Sequence, residues 1–275
     1  MADGSVPHSF GPYELTRPLP PSRHGLRQMA VHRRTQTSHV VHTLAIGADR
    51  SSVRRVLAAL ERLSASRLPH ALPISDFALI EPSGVRVVTP HVGAHDSLFT
   101  ISDLARGKGG RLTPSETTRA IEHLLEAFDA GQRAGVHHGH LGPDEVLVDS
   151  RGSVHVEFYG MAFLIASQNA NVSDPDPVES AREVRRVADI AFQLVTGAQP
   201  PPGGVFARDL AGLGRGGLAA WFGRALDPLE GFANASDALH ALRNPPPATP
   251  EGLPRLIPTV RSALGFRSAL GRRPR

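Results

Sequence analysis

Within GVHHGHLGPDEVLVDSRGSVHVEFYG, residues 135–160, stand His137, His138, His140 and His155 together with Asp144, Glu145, Asp149 and Glu157. Imidazoles and carboxylates are the ligands of zinc and of harder cations, and either can move a proton in acid–base work. The spacing argues against a metal, because three histidines within four loop residues point in different directions and match no established ligand pattern. Glu145 and Glu157 are oxygen ligands by type. A strand of period two, however, turns Glu157 away from Phe158 and predicts an acid facing solvent. With no cysteine in the chain, disulfides, thiolate metal sites and cysteine nucleophiles are excluded. Lysine chemistry is confined to Lys108, the one lysine among 30 basic residues, and in the glycine-rich ARGKGGRL it reads as a mobile surface residue.

The rest of the chain must position that stretch. Its 275 residues, 40% apolar and 20% charged, suit a soluble protein with a sizeable core. No apolar run approaches the roughly 18 residues of a membrane span, and MADGSVPHSF is no signal peptide, so a cytoplasmic location is the expectation. After a leader of residues 1–12, the segments Tyr13–Leu19, Arg27–Thr35 and Ser38–Ile46 read as short strands. A helix capped by Ser51 or Ser52 carries Val53, Val56, Leu57 and Leu60 on one stripe, and Phe77–Val92 reads as a hairpin. Beyond residue 95 helices dominate. Thr113, Pro114 and Glu116 form a capping box that starts a long one running to about Ala134. Ala181–Gly197, Gly217–Leu226 and Ala235–Arg243 follow as further helical segments.

A β-rich lobe (13–92) followed by a helical lobe (93–243) is an α+β, two-lobed plan. A proline-rich linker (244–254) and a basic tail (255–275) complete the chain. Residues 251–275 hold six arginines against Glu251, while residues 1–250 sum to −1. The basic pI of 10.4 is therefore assigned to the tail. The tail reads either as an unstructured segment or as a basic peptide for an acidic protein or an anionic membrane surface, and no nucleic-acid partner is expected.

Three segments carry a resemblance: the stretch from Gly135 to Ala162, then ADIAFQLVTGAQPP, then WFGRALDPLEGFANASDALHALR. In this order and at these separations the chain, over about residues 13–243, resembles a eukaryotic-type Ser/Thr protein kinase domain of the bacterial sort. The resemblance implies the kinase fold and a place in signalling. It also implies an active site built from a strand lysine, a helix glutamate that holds it, a proton-accepting aspartate, and an asparagine and a second aspartate on Mg²⁺.

Residue by residue, those groups are missing. His42 stands where the lysine belongs, and Val56 or Ala59 where its glutamate partner would be. His138 keeps the family's histidine, but His140 replaces the proton-accepting aspartate and Gly142 the following lysine. Glu145 stands in for the metal-binding asparagine, and Phe158, two residues before Gly160, replaces the Mg²⁺ aspartate. The phosphate-covering turn, PLPPSRHGLRQ, keeps only Gly25 among its glycines. Glu183 replaces the central helix's aspartate, and Gly231 the arginine that would pair with a terminal acid such as Glu179. The expectation is a pseudokinase: no catalytic residues, no metal, no cofactor, and a regulatory or scaffolding role through a protein partner. The alternative is a very weak kinase or an ATP binder without Mg²⁺, holding a purine on backbone around Pro90, His91 and Val92.

Overall fold

The computed structural model describes residues 9–46, 49–80, 84–93, 98–167, 177–206, 208–213 and 217–245. Six antiparallel strands form the sheet of the first lobe: β1 (Ser9–Phe10), β2 (Tyr13–Ser22), β3 (Gly25–His32), β4 (Ser38–Ala45), β5 (Asp76–Ile80) and β6 (Gly84–Pro90). They lie in the order β1-β2-β3-β4-β6-β5. The leader contributes more than expected, since Ser9 and Phe10 pair with Glu14 and Tyr13. Helix α1 (Arg50–Ala65) crosses between β4 and β5. Its cap is Asp49, two or three residues before the serines the sequence suggested, and the carboxylate accepts from the Ser52 N–H at 2.8 Å. The buried stripe is Val56, Ala59, Leu60 and Leu63, with Val53 and Leu57 half-buried at its edge.

The second lobe holds α2 (Ile101–Gly107), α3 (Pro114–Arg133), β7 (Val146–Val148), β8 (Val154–Val156), α4 (Met161–Ser167), α5 (Pro177–Thr196), α6 (Gly217–Ala225) and α7 (Ala235–Arg243). The capping box of α3 forms as its sequence dictates: Thr113 accepts from Glu116 N–H, and Glu116 returns the bond to Thr113 N–H at 3.0 Å. Lys108 is not loose, because its ammonium pairs with Glu116 beside this cap. Helices α3 and α5 form the centre of the lobe, burying Ile121, Leu125 and Phe128 with Val187, Ala188 and Ala191 in one apolar cluster. Tyr159 packs so closely on α3 that a Cβ at Gly131 would lie 2.1 Å from its hydroxyl, so only glycine fits there.

Backbone bonds tie the lobes together behind the cleft. Leu72 N–H donates to Val156 O at 2.8 Å and Val156 N–H to His70 O at 2.7 Å, so the segment after α1 runs along β8. A second apolar cluster crosses the boundary at the front, with Leu19, Met29 and Val40 of the sheet against Leu98 and Leu147 of the helical lobe. The linker and tail from residue 246 onward, and residues 168–176 after α4, lie outside the described residues.

Candidate functional site

The loop of residues 136–145 enters from α3 and is held from below by Glu183. This buried carboxylate accepts from His138 N–H at 2.5 Å, Gly139 N–H at 3.3 Å, His137 Nδ1 at 3.1 Å and Gln132 Nε2 at 3.0 Å. An acid one methylene longer than aspartate still reaches the loop and satisfies donors that burial would otherwise leave unpaired. His138 lies flat on Tyr159, ring centroids 5.3 Å apart, and its Nδ1 accepts from Gly160 N–H at 3.2 Å. Burial holds the His138 imidazole down to about 4, despite the nearby charges of Glu145 and Glu183. Gly160 itself has φ +76, and a Cβ there would strike Val136 at 2.4 Å.

The cleft side of the loop carries different chemistry. His140 is exposed, and its Nε2 faces the Arg186 guanidinium at 3.1 Å, so the nitrogen that could accept a substrate proton is already an acceptor. Glu145 is buried, with Oε2 taken by Gly142 N–H at 2.7 Å and Oε1 by Arg23 Nε and His24 Nε2, both at 2.9 Å. Burial pushes this carboxyl up, but His24, His138, the Gly142 N–H and Arg23 together hold it below the usual carboxylate range. Arg23 also donates to His140 O at 2.9 Å. Arg23 and His24 belong to the turn between β2 and β3, so the strand turn expected to cover phosphates reaches across and bonds the loop instead.

Deeper in the cleft the sequence reading needs correction. Glu157 does not face solvent; it is fully buried and pairs with the guanidinium of Arg27 on β3. The cause is local. Strand β8 ends at Val156, and Phe158 takes φ +50, left-handed backbone that a bulky side chain rarely adopts. Alternation therefore stops before Glu157, and both Glu157 and Phe158 turn inward. Burial raises the Glu157 carboxyl, with Arg27 opposing. His42, directly opposite Arg27 across the β3–β4 ladder, shares a hydrogen bond with Thr89 Oγ1 at 2.9 Å and lies 3.6 Å from Glu157. Burial holds its imidazole well below its ordinary value, helped by the charges of Arg27 and His24. The Phe158 ring stands edge-on to His42 and His24, with centroids 4.8 and 5.2 Å away.

This donor set does not fit Mg²⁺. Of the two positions the resemblance assigns to the metal, Phe158 offers no oxygen, and Glu145 has its oxygens engaged by a guanidinium, an imidazole and an N–H. Among the described residues no group of three or more histidines and acids is arranged to hold a metal. At the expected hinge, one backbone donor is already used. Pro90 lacks an N–H, His91 N–H donates to Ser38 O at 3.1 Å, and Val92 packs on the apolar cluster between the lobes. A cleft of about 290 Å³ remains, bounded by Pro20, Arg23, Arg27, Leu98, Asp103 and Glu145. Sequence reasoning missed Arg23, His24 and Arg27. Their signal was three cationic or titratable side chains in a turn where small residues were expected.

No protein-family model matches the chain. Over 169 residues it is 26% identical to CBL-interacting protein kinase 17 of Oryza sativa subsp. japonica, covering 60% of this chain and 35% of that protein. Over 161 residues it is 29% identical to serine/threonine-protein kinase PknD of Mycobacterium tuberculosis, covering 57% and 23%. The chain thus spans about a third or less of the length of these relatives. The backbone matches the PknI kinase domain of Mycobacterium tuberculosis at a TM-score of 0.63 and 19% identity, over 86% of this chain and 97% of that one. The chain is a two-lobed protein-kinase-like domain.

Proposed function

We propose that this domain is a pseudokinase that does not transfer phosphate and serves as a regulatory scaffold for a protein partner. The observation that carries the reading is the occupation of the cleft by the chain's own charges: Arg27 with Glu157, and Arg23 and His24 with Glu145. In phosphoryl transfer, cations on one lobe and metal-holding oxygens on the other meet across the nucleotide. Here they meet each other. No fixed amine stands at His42, and His140 offers no free acceptor to a substrate hydroxyl. The test is radiolabelled autophosphorylation with Mg²⁺ or Mn²⁺, with His140→Ala as control. Incorporation above the control would overturn the reading.

The remaining cleft favours one second reading, an ATP binder that uses no metal. At about 290 Å³ it lies at the small end of ligand sites, and Asp103, Asp144 and Glu145 offset Arg23 and Arg27 at its rim. Thermal unfolding with ATP, with and without Mg²⁺, separates the two: the scaffold reading expects no rise in melting temperature in either case.

A further inference from the structure

The near-neutral balance of residues 1–250 conceals two lobes of opposite charge. Residues 13–92 hold eleven arginines against five acids, a net +6, and residues 93–243 hold twelve arginines and Lys108 against nineteen acids, a net −6. In the helical lobe many acids have a neighbouring partner: Asp103 with Arg106, Asp129 with Arg133, Glu179 with Arg182, Glu126 with Arg243. In the sheet lobe, Arg33 and Arg34 stand exposed in the turn after β3, and a longer row of exposed arginines lies on one helix.

Helix α1 carries Arg50, Arg54, Arg55 and Arg62 against a single acid, Glu61, and Arg67 follows just past its end. Arg55 is half-buried and turned to Ser52. Arg50, Arg54, Arg62 and Arg67 are exposed, and none of the four has an ion pair or side-chain hydrogen bond among the described residues. From Arg50 to Arg62 the row runs roughly 18 Å along the helix. Val56, Ala59, Leu60 and Leu63 fix the opposite face in the core, so these guanidinium groups stand on a rigid support.

We propose that the arginine face of α1 is the docking site for an acidic segment of a partner protein. The proposal rests on the scaffold reading and gives its partner a chemistry. Guanidinium forks match carboxylates in paired hydrogen bonds and stay charged at every physiological pH. Two features favour a short acidic peptide over an extended polyanion. The exposed residues of α1, Arg50, Ser51, Arg54, Glu61, Arg62, Ser64 and Ala65, include no aromatic to stack on a base and no large apolar group to enter a bilayer. A duplex or membrane reaching beyond the helix would also meet the −6 lobe.

The full chain should be titrated at physiological salt with a fluorescent peptide of alternating Glu and Asp, with duplex DNA, and with phosphatidylserine vesicles. Arg50→Glu, Arg54→Glu and Arg62→Glu combined should weaken peptide binding about tenfold or more. Reversing Arg261, Arg267 and Arg272 of the tail should change it less than about threefold. The neutral set Arg50→Gln, Arg54→Gln and Arg62→Gln guards against misfolding, checked by melting temperature, and should lie between wild type and the reversal. Equal peptide binding by wild type and the helix variants would overturn the proposal, as would loss caused by the tail variant alone. So would a helix variant that lost DNA or vesicle binding yet kept the peptide. The phosphorylation assay judges the scaffold reading separately, since an active kinase could still bind the peptide.

Discussion

The two sides of the loop at residues 136–145 obey different rules. On the buried side, Glu183 satisfies four donors from α3 and the loop, and His138, Tyr159 and Gly160 interlock beneath. On the cleft side, charged side chains of the two lobes bond each other: Arg27 with Glu157, and Arg23 and His24 with Glu145. The frame answers to unsatisfied polar groups in a dry core, where each lost bond is costly. The cleft answers only to whatever occupies it. On the proposed reading the occupant is the chain itself, its charges paired across the lobes.

The sharpest way to break that contrast is Glu183→Leu. It strands two loop N–H groups, His137 and Gln132 in the core and should cost about 3–5 kcal/mol by chemical denaturation, whereas a loss below about 1 kcal/mol would mean the frame is held elsewhere. Arg27→Met should cost somewhat less, about 3 kcal/mol, because Glu157 can take up a proton to relieve its isolation. Adding Glu157→Leu should recover most of that loss, since removing both partners of a buried pair is often near neutral. No recovery would show that the pair does more than neutralise itself.

Acid reads the frame from another direction. His138 titrates near 6.5 when unfolded and is held to about 4 when folded, so the unfolded chain binds more protons between those values. Stability is therefore full above about pH 6.5 and falls as pH drops towards 4, by about 2–4 kcal/mol from this residue. His138→Asn should flatten that part of the pH profile, and an unchanged profile would assign the effect to another group. The smallest effect belongs to Arg23→Ser. Arg23 is 41% exposed, so its loss should shift stability by less than about 1 kcal/mol. A larger loss would make the strand turn part of the frame.

Much of the fold was legible because its elements follow local rules. The Thr113–Glu116 box, the strand at Ser38–Ala45 and the helix at Ala235–Arg243 fall where cap chemistry and apolar period put them. Helix α2 escaped notice although Thr100 and Asp103 form a second capping box, since at seven residues it has too few turns for a periodic stripe. The positions at which the resemblance expects catalytic groups could be compared from sequence alone. The charge pairs in the cleft could not be read there, because Arg27 and Glu157 are 130 residues apart and meet only when the lobes close. Glu157 was misread for a backbone reason: periodicity assumes a continuing strand, and the left-handed Phe158 ends it. Total charge misled in a similar way, since a sum over both lobes cancels a difference between them.

The Arg27–Glu157 pair has one last consequence. Two jaws clamped by a diffusible metabolite open whenever its concentration falls. On the proposed reading, jaws stapled by residues of the same polypeptide would keep their angle through starvation, chelation or a burst of triphosphate. On that scaffold reading, a partner that touched both jaws would meet them at constant shape, and regulation would come from the abundance of this protein or of what it meets.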